Sequence, residues 1–299
     1  MELRKDFLQE GSDTKGGYLV QDIYRKVEEI FLKYGLARQL FGTIPLGKTD
    51  TVKVTTQDSS NITAYVVSEG GTTTESQQAY SQVSVSVIKL STAVPITQEL
   101  VEDANEDVIM KTFEAIAIEF AKKEDEMIFT NTESASLEAL LTAATTTEAL
   151  GGAYIDGDTI SKLIATLQGY GGLTQNMALV VNATTLHYIR TLKDDNGNYL
   201  FNMNTAQNPL LKTGVVGMIF GVPIFVSSVI SVTDATPDTS IGYLLDRRCA
   251  ELYIRKELSN EIERVYSTDS WKLWTRERLA FKTVRPNLVV YITGIKSED

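Results

Sequence analysis

The sequence predicts an α+β fold, and three observations support this prediction. A long polar β-hairpin is predicted within residues 42–92, a long amphipathic helix at 105–129, and alternating helices and strands after residue 158. The chain has 299 residues, of which 43% are hydrophobic and 22% are charged. Such a composition is ordinary for a globular protein that builds a core of its own.

The hairpin is predicted from a regular alternation of valine with polar residues. Val52 and Val54 alternate on the outgoing arm, and Val83, Val85 and Val87 alternate on the returning arm. A period of two indicates strands with at most one buried face. The tip, SEGGTTTES at residues 68–76, is polar, and a hairpin of two strands alone is marginally stable in water. We therefore expect this hairpin to lie on another subunit.

The long helix is predicted from one apolar stripe. Its members are Ile109, Phe113, Ile116, Phe120 and Met127. A stripe this narrow on a long helix is typical of a spine packed against a sheet. The run Glu124-Asp125-Glu126 is interpreted as a solvated face, and Thr97 as the N-cap of a helix start before the spine. An amphipathic helix is also predicted within residues 21–38, with an apolar pattern that stops at Gly35, after an extended arm.

The second half of the chain is predicted to alternate helices and strands, after a boundary at the Thr/Ala/Gly-rich residues 130–157. One helix is predicted at 159–168 with Asp158 as N-cap, and another at 183–193 with Asn182 as N-cap. The predicted strands are at 177–181, 218–220, 224–226, 243–245 and 250–254, and long strands at 271–295 are interrupted by Arg285-Pro286.

Composition weighs against several classes of function. The net charge is −11 and the isoelectric point is about 4.8, which disfavours tight nucleic-acid binding. One cysteine, Cys249, excludes a disulfide framework or a cysteine zinc site within one chain. The first residues lack the apolar run of a secretory signal, and no membrane-spanning segment is expected.

No enzyme active site is expected. The single histidine, His187, stands on a predicted helix with no nucleophile or acid at a diagnostic spacing. Asp156-Gly157-Asp158-Thr159 departs from a phosphatase nucleophile loop, and the glycines at 169–172 end a helix rather than begin one. We expect no catalytic, metal-binding or cofactor-binding residues.

Six short sequences, in order between residues 16 and 286, resemble those of the major capsid proteins of tailed bacteriophages, whose shell fold is also used by encapsulins. They are GGYLV (16–20), AYVVSEG (64–70), VPITQELVED (94–103), LKDDNGNYL (192–200), FGVPI (220–224), and ERLA (277–280) with Arg285-Pro286. Each sequence alone is weak, and their shared order makes the resemblance specific.

This resemblance implies a division of the chain into named parts. Residues 1–40 would be the N-terminal arm, 41–92 an extended loop that drapes over a neighbouring subunit, and 93–145 a peripheral domain with the spine helix. Residues 146–269 would be an axial domain, and 270–299 the C-terminal strands of the peripheral domain. The residues that would contact neighbouring subunits are Gly16, Gly17, Tyr18, Glu69, Gly70 and Gly71.

Some members of this family join subunits through a covalent bond from a loop lysine to an asparagine, assisted by a glutamate. Alignment on residues 277–280 puts Asp269 at the asparagine position and Arg276 at the glutamate position. Lys48 and Lys53 are available in the loop, but the acceptor amide and the base are both missing. We therefore expect no crosslink by this route.

The resemblance implies a structural protein of the virion, which assembles through hexamers and pentamers into an icosahedral head around double-stranded DNA. Its expected partners are itself, a portal, a scaffold and possibly decoration proteins, with packaged DNA bound without sequence specificity, no membrane and no cofactor. Assembly is expected in the cytoplasm of the host bacterium. The alternative is the shell of an encapsulin-type nanocompartment.

Overall fold

The computed structural model of the chain describes residues 35–47, 51–58, 63–76, 79–103, 108–130, 139–193, 196–201, 214–230 and 239–296. Residues 1–34, which include most of the predicted arm (1–40) and most of the predicted first helix, lie outside this description. The described part begins at Gly35, which precedes a five-residue helix.

Helices and strands both occur along the described chain, and they alternate only between residues 146 and 219. The α-helices are α1 (Leu36–Leu40), α2 (Gln98–Asp103), α3 (Val108–Phe129), α4 (Leu140–Ala143), α5 (Gly157–Gly169) and α6 (Ala183–Thr191). The strands are β1 (Gly42–Pro45), β2 (Thr51–Asp58), β3 (Ala79–Ser86), β4 (Ile88–Thr97), β5 (Thr146–Ala153), β6 (Met177–Val181), β7 (Val215–Ile219), β8 (Val222–Val226), β9 (Thr239–Asp246), β10 (Ala250–Val265), β11 (Ser270–Thr283) and β12 (Val289–Lys296). This mixture agrees with the predicted α+β class.

The spine helix α3 packs against a four-stranded sheet, as predicted. The strand order is β1-β10-β11-β4, with β10, β11 and β4 antiparallel and β1 parallel to β10. Phe113, Ile116 and Phe120 of the helix form one buried cluster with Ile96 of β4 and Leu273 of β11. The last turn of α3 contributes Met127, Ile128 and Phe129 to a second buried cluster, which also contains residues of this sheet and of a six-stranded sheet.

The second half of the chain forms a six-stranded mixed sheet in the order β5-β12-β9-β6-β8-β7. Every residue of β6, MALVV, is buried, as expected for a strand covered on both faces. Helix α5 buries Ile160, Leu163 and Leu167 in the core cluster that includes the apolar side chains of β6. The predicted bounds of β6 are confirmed.

The helix caps agree with the sequence in two places and correct it in one. Asn182 accepts from the amide of Thr185 at 2.8 Å at the start of α6, and Thr97 Oγ1 accepts weakly from the amide of Leu100 at 3.4 Å. At α5 the N-cap is Asp156, whose Oδ1 accepts from the amide of Thr159 at 2.7 Å. The prediction of Asp158 as this cap was therefore wrong.

The sheets divide the chain differently from the predicted segments. Strand β5 lies inside residues 130–157, which the sequence predicted as a boundary. Strand β10 extends to Val265 and belongs to the four-stranded sheet, although residues 146–269 were grouped together. Strand β12 pairs with β5 and β9 in the six-stranded sheet, so only β11 of residues 270–299 joins the peripheral strands.

Candidate functional site

The extended loop is the first candidate site, and its two arms pair as predicted. Strands β2 and β3 are antiparallel in a register that runs from Thr51 opposite Ser86 to Asp58 opposite Ala79. They form a separate two-stranded sheet. The long hairpin predicted from the alternating valines is therefore present.

The tip of this loop is exposed to solvent. Every residue in the described stretch 63–76 is exposed, and this stretch is called the loop tip below. Tyr65 and Val67 are exposed, and Val66 is exposed over its whole surface. Three consecutive apolar side chains that remain exposed are unfavourable in water, since burying apolar surface yields roughly 25 cal/mol per Å².

A tight turn shapes the loop tip at the residues that the sequence singled out. The amide of Gly71 donates to the carbonyl of Ser68 at 2.9 Å, and Gly70 has a φ of +78°. A turn with positive φ at its third position favours glycine. A Cβ on Gly71 would stand 2.9 Å from Val67 Cγ1. Glu69, Gly70 and Gly71 thus lie together at this turn, while Gly16, Gly17 and Tyr18 lie outside the described residues.

The base of the loop buries one of its side chains, in contrast with the tip, while Ser84 and Ser86 beside it are exposed. Val85 of β3 is buried in a small cluster with Tyr253 of β10 and Ala280 of β11, and Leu46 packs on its edge. The base therefore anchors the loop on the four-stranded sheet, and the polypeptide continues directly from β3 into β4 of that sheet. Anchoring at one end leaves the other end available to a neighbouring molecule.

The spine helix carries a second candidate site, whose burial was not predicted from the sequence. Glu124 and Asp125 are 1% and 5% exposed, so the prediction that Glu124-Asp125-Glu126 is a solvated face was wrong for these two residues. The carboxylate of Asp125 accepts from the backbone amides of Leu36 and Ala37, at 2.9 Å and 2.8 Å. Asp125 thus caps helix α1 from a position 88 to 89 residues away.

Next to this cap, Arg38 of α1 joins the spine helix to strand β11. Its Nε lies 3.1 Å from Oε2 of Glu124, and its Nη2 contacts Oε1 of Glu277. Glu277 is completely buried. Arg38, Glu124, Asp125 and Glu277 are called the arginine–carboxyl cluster below. Glu277 opens the ERLA sequence, but no signal in the sequence paired it with Arg38.

The electrostatics of this cluster follow from its burial. Burial raises the pKa of Glu277 to about 8, and the nearby carboxyl groups of Glu124 and Glu257 add to this rise while Arg38 opposes it. Burial also raises the pKa of Asp125 to about 7, against the two amides that stabilise its charge. The pKa of Glu124 is raised by burial and lowered by Arg38, with a net rise.

The two positions considered for a crosslink are both engaged within the chain. Asp269 stands in the turn between β10 and β11 with a φ of +44°, and its carboxylate contacts Arg264. Arg276 contacts Glu261 at 3.1 Å and lies over the ring of Trp274. Lys53 is exposed on β2, and Lys48 lies outside the described residues. The expectation that no crosslink forms here stays a prediction.

The remaining predicted positions do not come together as a site. His187 lies on α6, with its ring against that of Tyr188. Among the described residues, no group of three His, Cys, Asp or Glu side chains is arranged to hold a metal ion. No described helix is long and apolar enough to cross a membrane.

Comparison with known proteins gives the family. A model of the phage capsid family matches residues 16–294. The chain belongs to the phage capsid family. As a member of this family it is a capsid shell protein, a structural component of a virion head. Comparison with curated proteins finds no match.

Solved structures share the fold of this capsid protein at low sequence identity. The capsid of a native GTA particle is 14% identical, with a TM-score of 0.68 over 86% of this chain and 89% of that chain. A structure from Microbacterium phage Oxtober96 is 16% identical, with a TM-score of 0.68 over 86% and 90%. An encapsulin complex from Synechococcus elongatus is 10% identical, with a TM-score of 0.62 over 87% of each chain. The predicted shell fold is therefore confirmed.

Proposed function

We propose that this chain is the major capsid protein of a tailed phage, which assembles through hexamers and pentamers into an icosahedral head around double-stranded DNA. In this proposal the extended loop lies across a neighbouring subunit, and it supplies contacts that the isolated chain cannot make. The supporting observation is the loop tip, which exposes Tyr65, Val66 and Val67 although the base of the same loop buries a side chain.

Assembly of this kind needs only weak individual contacts. Each subunit in a closed shell is held by several neighbours at once, so modest contacts combine into strong overall attachment. The contacts proposed for the loop are those of Glu69, Gly70 and Gly71 at the tip turn. On the arm, Gly16, Gly17 and Tyr18 are the proposed contacts. We also propose the division of the chain into an arm (1–40), a loop (41–92), and peripheral and axial domains. In this division β10 belongs to the four-stranded sheet of the peripheral domain, and β12 belongs to the six-stranded sheet.

The acidic chain suits a container for DNA. A net charge of −11 disfavours tight phosphate binding, so the packaged DNA would be free to move in and out. The proposed partners are further copies of the chain, a scaffold, a portal and decoration proteins. Assembly would take place in the cytoplasm of the host bacterium.

A pair of substitutions at one exposed position tests this proposal. Because Val66 has no cover in the isolated chain, Val66→Asp leaves the free energy of unfolding of the subunit unchanged. It would place a charge in the proposed contact, which is costly to bury. We expect particle yield, measured by light scattering and negative-stain microscopy, to fall about tenfold or more because the loss recurs at every subunit.

The matched control is Val66→Thr, which keeps the branched shape without a charge and should assemble close to the natural level. Particles of Val66→Asp at full yield would contradict the proposed role of the loop. A chain that remains monomeric at every salt concentration, even with its natural sequence, would contradict the shell assembly itself.

The alternative, an encapsulin-type nanocompartment, is supported by the structural likeness to the encapsulin complex. The two assignments differ in what the particle encloses. Absorbance at 260 and 280 nm and mass spectrometry of particles purified from the native source distinguish them. Enclosed DNA supports the phage head, and an enclosed protein without DNA supports the nanocompartment.

A further inference from the structure

The arginine–carboxyl cluster joins three elements that are distant in sequence. Asp125 and Glu124 come from α3, Glu277 comes from β11, and Arg38 comes from α1. Helix α1 is the first described element, and it connects the core to residues 1–34. The cluster therefore holds the described end of the predicted arm, helix α1, on the spine helix and β11.

The charges in this cluster do not balance when every group is ionised. Three carboxyl groups meet one guanidinium, and the Arg38 and Glu124 side chains are 9% and 1% exposed, with Glu277 at 0%. Excess negative charge that is shielded from water is costly. In addition, the buried Oε2 atom of Glu277 has no hydrogen-bond partner in the described part of the chain. When Glu277 is ionised, its Oε2 atom would therefore be a buried charged oxygen without a hydrogen bond.

Charged groups reach the cluster from each neighbouring strand and helix. Arg38 faces it from α1, Glu124 and Asp125 from α3, Glu277 from β11, and Glu257 from β10 adds a further negative charge. Burial and these neighbours raise the pKa of Glu277 to about 8 and that of Asp125 to about 7. Near neutral pH the folded cluster therefore retains protons that the unfolded chain releases.

We propose that the arginine–carboxyl cluster is a proton-operated latch, which holds helix α1 on the spine helix while Glu277 is protonated and loosens when that proton is lost. The sign follows from linkage. The folded state binds more protons than the unfolded state between the ordinary carboxyl pKa and the raised one, so stability falls as the pH rises through this interval. For Glu277 the interval runs from its ordinary pKa of 4.5 to about 8.

The test is the pH dependence of unfolding for the full chain and for Glu277→Gln. For the natural sequence we expect the unfolding equilibrium constant to rise by up to about tenfold per pH unit for each proton, and to level off above pH 8. Glu277→Gln keeps an oxygen for Arg38 and removes the titrating group, so its curve should be shallower between pH 6 and 8. Assembled and unassembled protein are measured separately.

The chain offers clean controls for this measurement. It has one histidine, His187, whose contribution is removed with His187→Gln. Glu261→Gln changes a carboxylate on the same sheet whose side chain is 53% exposed and contacts Arg276. We expect both controls to retain the slope that Glu277→Gln reduces.

Two results would overturn the latch. One is a curve of equal slope in the natural protein and Glu277→Gln, and the other is a uniform loss of stability at every pH, which would indicate a purely structural contact. If Glu277→Gln does not fold, amide exchange in the natural protein decides. The protection factors of Leu36 and Ala37 should fall between pH 6 and 9 by at least tenfold more than those of Leu179 and Val180, and an equal change at all four positions would contradict the latch.

Discussion

The central strand β6 and the loop tip use valine in opposite ways. Val180 and Val181 are completely buried between neighbouring strands and helices, whereas Val66 is fully exposed. Strand β6 finds its cover within the chain, and the loop tip has none in the described residues. The comparison separates two uses of apolar residues: those of β6 stabilise the subunit, and we propose that those of the loop tip contact a neighbouring subunit.

The largest expected effect on stability concerns the buried side of this comparison, at the arginine–carboxyl cluster. Arg38→Met removes the guanidinium that contacts Glu124 and Glu277. Breaking a buried ion pair in this way costs about 3–5 kcal/mol, and we expect urea unfolding to show such a loss at pH 8. Protonation of Glu277 should reduce the loss at pH 6, since its pKa is raised to about 8.

The control for Arg38→Met is Arg276→Met, which removes a guanidinium that is 33% exposed and contacts Glu261 on the sheet surface. Exposed ion pairs contribute about 0–1 kcal/mol. Equal losses from the two substitutions would show that burial of the cluster has no energetic consequence.

The next effect compares the loss of stability on truncating a buried valine, Val180, and an exposed one, Val66. Val180→Ala removes two methyl-sized groups from a packed core and should lower the free energy of unfolding by about 2–3 kcal/mol. Val66→Ala should change it by less than about 0.5 kcal/mol because the side chain has no cover. Thermal unfolding of unassembled subunits measures both. A comparable loss from Val66→Ala would mean that the loop tip is buried within its own chain.

The smallest effect concerns the cap of helix α5. Asp156→Ala removes the side chain that accepts from the amide of Thr159, and we expect a loss of about 1 kcal/mol. Asp158→Ala changes a first-turn carboxylate whose stabilising effect at a helix start is about 0.3–1 kcal/mol. Urea unfolding of both variants should therefore place Asp156→Ala as the more damaging, and the reverse order would favour the sequence-based assignment of Asp158.

Local patterns predicted the elements whose own residues carry the signal. The apolar run MALVV predicted β6 because a strand covered on both faces needs no alternation. Asn182 predicted the start of α6 because a cap acts three residues away. The alternating valines likewise predicted the β2–β3 pair.

Two of the missed features depend on partners far along the chain, and the third, the outer half of β10, has a mostly polar sequence. Glu124 and Asp125 stand among exposed charged residues in sequence, and only the approach of α1, 86 to 89 residues away, buries them. The outer half of β10, up to Val265, is polar and is held in place by pairing with β11. Strand β5 contains Gly151 and Gly152, which weaken any strand signal, and it forms beside β12.

The most direct test of the account is hydrogen–deuterium exchange of the loop tip in unassembled subunits and in assembled particles. If neighbouring subunits cover residues 63–76, as we propose, their amides exchange within seconds in the subunit and much more slowly in the particle, while β6 is protected in both. Equally fast exchange of the loop tip in subunit and particle would contradict the claim that this loop is buried between subunits.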